Sequence, residues 1–252
     1  MGSDGGSQGM RTGRERTDTM KKDEIKKEMP ETISYEPEVE EAPVEAVPNQ
    51  LEEIEKFILD LGTEDLHTFG GSKVGGKYCQ QVPDEAARCI LYLLESKINS
   101  YLEVGAAAGG TTFLFNHYFH PEKIVLVDNN SHPRCALRPQ ILSGIDYTEI
   151  INDSQSEDAI RRTGKFAPFD LIILDAVHSY METMMDVIHY SPFLSPGGYL
   201  FLHDSVWPGG QVDRVVKELK TNDKFEFINE WVSETHKSNP CGIALFRQKG
   251  RK

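Results

Sequence analysis

Residues 101–112, Tyr101-Leu-Glu-Val-Gly-Ala-Ala-Ala-Gly-Gly-Thr-Thr112, run from a short apolar stretch through an acid into a glycine-rich turn. A buried strand that empties into such a turn can open a pocket at the carboxyl edge of a parallel sheet, where backbone must approach a ligand closely. The spacing is Gly105-x-x-x-Gly109-Gly110, which differs from the G-x-G-x-x-G of a dinucleotide site. Glu103 stands two residues before the first glycine and would repel a pyrophosphate, so the turn is read as facing a ligand with a cationic ammonium. A tight strand-to-helix turn with no ligand is the plainer alternative.

Outward from this turn the chain alternates. Residues 100–104, 123–128, 146–151, 169–175 and 198–203 are apolar enough to be strands buried on both faces, with helical stretches or linkers between them. Repeated crossovers of this kind require a parallel sheet covered by helices on both sides. Residues 225–231 and 242–247 break the alternation, because no helix separates them; they predict an antiparallel terminal pair. Ahead of the turn, Leu51, Ile54, Phe57, Ile58 and Leu61 recur at helical spacing and Gly62 ends the run. A second helix is expected from Pro83-Asp84 to about Lys97, with Asp84 as its N-cap and Ala86, Ala87, Ile90, Leu91 and Leu94 on the buried stripe. Between them, 63–82 is a connector containing Gly70-Gly-Ser-Lys-Val-Gly-Gly76, either a lid or a plain loop. Residues 1–48 are rich in Gly, Ser, Glu, Lys and Pro and are expected to be a disordered tail, its first ten residues resembling an added leader. Residues 49–252 are then one domain, with N-terminal helices and the glycine-rich loop over 49–97 and the sheet core over 98–248.

Composition narrows the function. The 27 basic against 40 acidic residues give a net charge of −13, which argues against a broad electrostatic grip on nucleic acid or anionic lipid. No apolar run approaches the roughly 20 residues needed to span a bilayer. The four cysteines, Cys79, Cys89, Cys135 and Cys241, show no C-x-x-C spacing and are read as reduced thiols of a cytoplasmic protein.

Several acids fall at strand ends. Asp128 closes Lys123-Ile-Val-Leu-Val-Asp128, the place from which a carboxylate can accept both hydroxyls of a ribose, although a helix cap is the plain alternative. Asn152-Asp153-Ser154 follows the third strand and suits an adenine edge, or a simple Asx turn. Asp175 and Asp204 follow the fourth and fifth strands; with His203 beside them they form an oxygen-rich set for Mg²⁺ or Mn²⁺. Otherwise one caps a helix and the other forms a salt bridge. His178, three residues past Asp175, is the candidate proton acceptor because its ordinary pKa is near neutrality; a structural histidine is the alternative. Met181, Met184, Met185, Val187 and Ile188, and likewise Val212, Val215, Val216 and Leu219, are read as core packing, and Trp207 as surface packing rather than a pocket wall.

Leu102-Glu-Val-Gly-x-x-x-Gly-Gly110, Val-Asp128 and Asn-Asp-Ser154, in that order and followed by the reversed terminal pair, resemble the cofactor motifs of class I S-adenosylmethionine-dependent methyltransferases over roughly residues 80–248. The resemblance implies a Rossmann-like doubly wound α/β sheet of seven strands, mostly parallel, with an antiparallel C-terminal hairpin. It implies a cofactor set of Glu103 for the methionine ammonium, Gly105, Gly109 and Gly110 for the methionine tail, Asp128 for ribose, Asp153 and Ser154 for adenine, and also Thr111 and Asp175. Gln81-Val-Pro-Asp84, Leu174-Asp-Ala-Val-His-Ser-Tyr180 and Pro196-Gly-Gly-Tyr-Leu-Phe-Leu-His-Asp204 are similar to the O-methyltransferase branch that includes cephalosporin-hydroxylase-like and macrolide- or rhamnose-sugar enzymes, several of which use a divalent metal. On that likeness Asp175 and Asp204 match metal positions, with His203 where the branch often has an acid. The expected activity is methyl transfer to a hydroxyl of a small molecule, a sugar or a phenol, with no nucleic-acid or membrane partner and homo-oligomerisation left open. A nicotinamide-dependent oxidoreductase, which the glycine spacing and Glu103 count against, and an inactive methyltransferase-like scaffold acting through its acidic tail are the other readings.

Overall fold

Tyr101 and Leu102 are neighbours in sequence yet belong to opposite layers, and the same alternation runs through every central strand. Both faces of the sheet are therefore apolar, and both must be covered. The computed structural model describes residues 46–62, 76–235 and 241–250, with side chains from residue 50 onward.

Seven strands, β1 (Ser100–Val104), β2 (Lys123–Asp128), β3 (Thr148–Ile151), β4 (Phe169–Leu174), β5 (Leu194–His203), β6 (Phe225–Trp231) and β7 (Ile243–Gln248), lie in the order β3-β2-β1-β4-β5-β7-β6. β3, β2, β1, β4 and β5 pair in parallel, while β7 runs antiparallel to both β5 and β6. This is the expected Rossmann-like sheet with its reversed terminal pair. Helices α1 (Ala46–Leu61), α2 (Pro83–Leu93) and α3 (Gly110–Phe119) bury Ile54, Ile90, Leu114 and Phe115 against Tyr101, Leu126, Leu171 and Phe201 on one face. On the other, α5 (Glu157–Thr163), α6 (Tyr180–Tyr190) and α7 (Val212–Lys220) bury Ala159, Val187, Val215, Val216 and Leu219 against Leu102, Val125, Ile172 and Leu200. The short α4 (Arg138–Ile141) completes the set.

Some boundaries differ from the sequence expectation. α1 begins at Ala46, three residues inside the stretch read as tail; the rest of that tail, and the Gly-rich connector up to residue 75, lie outside the described residues. In α2 the cap is Val82 and Pro83 takes the first helical position, where its missing N–H is no loss, so Asp84 lies in the first turn and forms an ion pair with Arg88 instead. The helix ends at Leu93, and Leu93 replaces Leu91 and Leu94 as the fully buried residue of the stripe. β5 starts four residues early because a register shift opposite Phe169–Leu171 absorbs Ser195-Pro196-Gly197. On α6 only Val187 of the predicted apolar set is fully buried, whereas Met181 and Ile188 are exposed. The four cysteines are buried free thiols. Among the described residues no helix is long and apolar enough to cross a membrane.

At the amino edge of the sheet one carboxylate ties three strands together. Asp170 Oδ2 accepts from the Asn99 and Ser100 amides, both at 3.0 Å, and from Ser100 Oγ at 2.9 Å, while Oδ1 accepts from Ser195 Oγ at 2.8 Å. Asp170→Ala leaves two backbone donors without their acceptor and is expected to lower the unfolding free energy by about 3 kcal/mol, measured by urea denaturation. A loss under about 0.5 kcal/mol, the range of an ordinary surface change, contradicts this role.

Candidate active site

The topology reverses between β1 and β4: the chain leaves β1 towards β2 and leaves β4 towards β5, which opens a crevice at the carboxyl edge. Gly105 sits in that crevice at φ +92°, its amide bonded to Val127 O at 2.8 Å, while the Asp175 amide bonds Val104 O at 2.9 Å. A Cβ on Gly105 would overlap the Asp175 carbonyl and come within 2.6 Å of Ala176 Cα. Only glycine fits. At Gly110 a Cβ would meet Tyr78 O at 2.5 Å, because residues 78–79 cross over the start of α3. Both glycines are required by neighbouring backbone, and both line the cleft. Gly109, expected there too, lies off the cavity and faces Arg138 and Leu142.

The cleft has a volume of about 670 Å³, and Glu103, Thr111, Asp128, Asp153, Ser154, Asp175, His178, His203 and Asp204 all border it. The register makes this possible: Val104 lies level with Val127 and Leu174, and Leu174 with Leu202, so the residues after each strand emerge at one height. Glu103 is buried, and its Oε2 accepts from Tyr101 Oη at 2.5 Å and from Thr112 Oγ1. Burial pushes its carboxyl up to about 7, against the lowering effect of these two donors. Asp128 Oδ2 accepts from the Ala107 amide at 2.8 Å and Oδ1 from the Asn130 amide at 2.6 Å. Arg138 Nη2 stands 3.2 Å from Oδ2, close enough for charge attraction though not aligned for a hydrogen bond. Thr111 Oγ1 accepts from Gln81 Nε2 at 3.2 Å.

Next to this lies a cluster of two carboxylates and two imidazoles. Asp175, His178 and Asp204 each offer a ligand atom within 4.8 Å of the other two. His178 Nε2 is 2.8 Å from Asp204 Oδ2 and 3.6 Å from Asp175 Oδ1, yet it is buried without an aligned hydrogen bond. The third donor expected beside the two acids was His203. That residue also borders the cleft, its Nδ1 hydrogen-bonded to Asp204 Oδ2 at 3.1 Å and 3.2 Å from Asp175 Oδ1. Burial works against charge on His178, but the two carboxylates outweigh it and lift the imidazole to about 9. Burial would likewise raise Asp204, yet the adjoining histidines hold its carboxyl far below the usual carboxylate range.

Three contributors were not foreseen. Arg138 is 1 % exposed and ties the glycine turn to β2 and β3: Nε donates to Ala107 O at 2.8 Å, and Nη1 to Asn130 Oδ1 at 3.1 Å and to Glu149. Trp207, expected on the surface, walls the cleft edge-on to His178 at 5.3 Å between centroids. Asp186, in α6, holds Ser154 Oγ at 2.8 Å. Nothing in the local sequence marks Arg138 or Asp186, since each acts across the fold; Trp207, three residues past Asp204, was the readable one.

Residues 102–205 match a protein family described as a methyltransferase domain. No curated protein matches the chain. Among solved structures it is similar to an O-methyltransferase of tomaymycin synthesis from Streptomyces achromogenes in complex with S-adenosylmethionine, at 14% identity over 81% of this chain and 98% of that one, with a TM-score of 0.56. An O-methyltransferase from Bacillus cereus in complex with S-adenosylhomocysteine aligns at 14% identity over 80% and 91%, TM-score 0.55. An rRNA methylase from Streptococcus thermophilus aligns at 16% over 66% and 96%, TM-score 0.51. At such identities the likeness carries the fold.

Glu103 yields a signed prediction. A carboxyl whose value rises on folding stabilises the fold below its unfolded value, near 4.5, and that contribution is lost as pH rises through about 7. Between pH 5 and pH 8 the wild-type unfolding free energy is expected to fall by about 2 kcal/mol relative to Glu103→Gln, followed by urea denaturation. Parallel pH profiles for the two proteins contradict it.

Proposed function

We infer that this chain is an S-adenosylmethionine-dependent methyltransferase, the class that the domain match and the fold both support, and we propose that it methylates a hydroxyl of a small molecule with help from a divalent cation. The observation that carries this is the gathering of Glu103, Asp128, Asp153, Asp175 and Asp204 around one cleft at the carboxyl edge of the sheet. An acid-lined cleft suits a cofactor with an ammonium, a sulfonium and two ribose hydroxyls to donate, and it repels a polyphosphate.

Each residue has a task. No hydrogen bond among the described residues reaches Glu103 Oε1, so that oxygen is left to accept from the methionine ammonium. Asp128 keeps lone-pair capacity beyond its two amide bonds for the ribose hydroxyls, and Arg138 holds it in place. Asp153 and Ser154 meet the base. Bound S-adenosylmethionine supplies the electrophilic methyl. The protein's contribution is then to hold the acceptor oxygen in line with methyl and sulfur and to exclude water.

The donor set of Asp175, His178 and Asp204, with its unaligned buried nitrogen, fits an oxygen-preferring divalent cation, which would supply Lewis acidity towards the acceptor hydroxyl. His203 orients Asp204 through its Nδ1 hydrogen bond. Trp207 gives the acceptor a flat apolar wall, which suits a phenol ring or a sugar face. The net charge of −13 favours such an acceptor over RNA.

Isothermal titration is expected to detect S-adenosylhomocysteine binding, weakened at least about tenfold in Asp128→Asn through lost charge-assisted hydrogen bonds; no binding, or unchanged binding in the variant, contradicts the cofactor assignment. Methyl transfer to a panel of phenols and sugars is expected to stop with EDTA and return with Mg²⁺ or Mn²⁺. Turnover indifferent to chelation removes the metal, and turnover confined to an RNA fragment removes the small acceptor.

A further inference from the structure

Ser154 is gripped at both ends by one face of α6. Its hydroxyl donates to Asp186 Oδ1 at 2.8 Å, and its carbonyl accepts from Tyr190 Oη at 2.5 Å. Asp186 and Tyr190 are four residues apart, one helical turn, so both side chains reach the same loop residue. Asp186 is 2% exposed and Tyr190 fully buried, while Ser154 is half-buried and borders the cleft. An ionised carboxylate can accept hydrogen bonds but not donate them. The direction of the Ser154–Asp186 bond is therefore fixed, and the only hydroxyl proton of Ser154 is used up in the core. What Ser154 Oγ has left for the cleft is lone pairs. Beside it, the Asp153 carboxylate, bonded to the Gln155 amide at 2.9 Å, is also only an acceptor. This corner of the cleft thus presents two side-chain acceptors side by side and requires a donor opposite them.

Resting on the cofactor reading above, we propose that Asp186 is a specificity-determining positioning residue: by forcing Ser154 to donate inward, it makes the base subsite select a 6-amino purine and reject a 6-oxo purine. An exocyclic amino group donates to Ser154 Oγ, whereas a 6-oxo group sets acceptor against acceptor. Without Asp186 the hydroxyl is free to rotate and serves either base.

The test compares the affinities of S-adenosylhomocysteine and S-inosylhomocysteine by titration calorimetry at pH 8. That is above the value of about 6 to which burial lifts the Asp186 carboxyl, against the lowering bond from Ser154 and with Asp153 and Glu182 adding to the rise. The wild-type protein is expected to prefer the adenine compound. Asp186→Ala is expected to cut that preference about tenfold, the scale of one net hydrogen bond, and Ser154→Ala to cut it to the same level. The double variant then goes no further than Ser154→Ala, because the two residues act as one unit. A preference in Asp186→Ala within about twofold of wild type overturns the proposal, as does a double variant whose effect is the product of the two single ones. Should circular dichroism show Asp186→Ala unfolded, Ser154→Ala decides alone, since it alters only a half-buried loop side chain: an unchanged preference overturns the proposal and a tenfold drop supports it. A wild-type protein that binds no S-adenosylhomocysteine removes this proposal together with the cofactor reading, whereas normal binding with an unmoved preference removes this proposal only.

Discussion

Where β1 and β4 part, the backbones of Gly105 and Asp175 approach so closely that no side chain fits between them. Everything that borders the cleft depends on that contact. It lets the chain turn from β1 into α3 without pushing β4 aside, and so keeps the tips of the four neighbouring strands level. A parallel sheet with level tips delivers whatever follows each strand to one edge. The acids at 128, 175 and 204 meet there because each is the residue that follows, or ends, an apolar run of matched register, while Glu103 reaches the same cleft from within β1.

Gathering carboxylates in a partly dry crevice is unfavourable unless each is compensated, and the protein compensates each differently. Glu103 has two neutral hydroxyl donors. Asp128 has amides and a buried guanidinium. Asp175 and Asp204 share two imidazoles, those of His178 and His203, each within 3.6 Å of both carboxylates. The last arrangement is the one best able to exchange its compensation, because a divalent cation can take over the role of the His178 proton. The cleft thus has one end fixed by backbone amides and Arg138 and another framed by His178 and Trp207.

Much of this was legible in the sequence. Strands buried on both faces are recorded as unbroken apolar runs, and an acid ends or follows each of β2, β4 and β5, so the fold and the acids that border the cleft could be read off directly. Partners that act across the fold could not. Arg138 lies in a short helix with no amphipathic signal, and Asp186 looks like any acid on a helix flank; their roles arise from β2, β3 and the 152–155 loop brought near by the topology. His203 ends β5 and His178 lies in the loop after β4; that both imidazoles reach the same two carboxylates comes from the strand pairing and not from any local pattern. The early start of β5 depended on a bulge, which apolar patterning does not record.

The central claim is that the loops after β1, β2, β3, β4 and β5 form one ligand site. Hydrogen exchange with and without S-adenosylhomocysteine tests it most directly, since exchange reports local opening at each loop separately. The account predicts slowed exchange together at 105–109, 128–132, 152–155, 175–179 and 204–207, with 95–99 and 194–198 at the opposite edge unchanged. Slowing confined to a single loop, or appearing at the opposite edge, would contradict it.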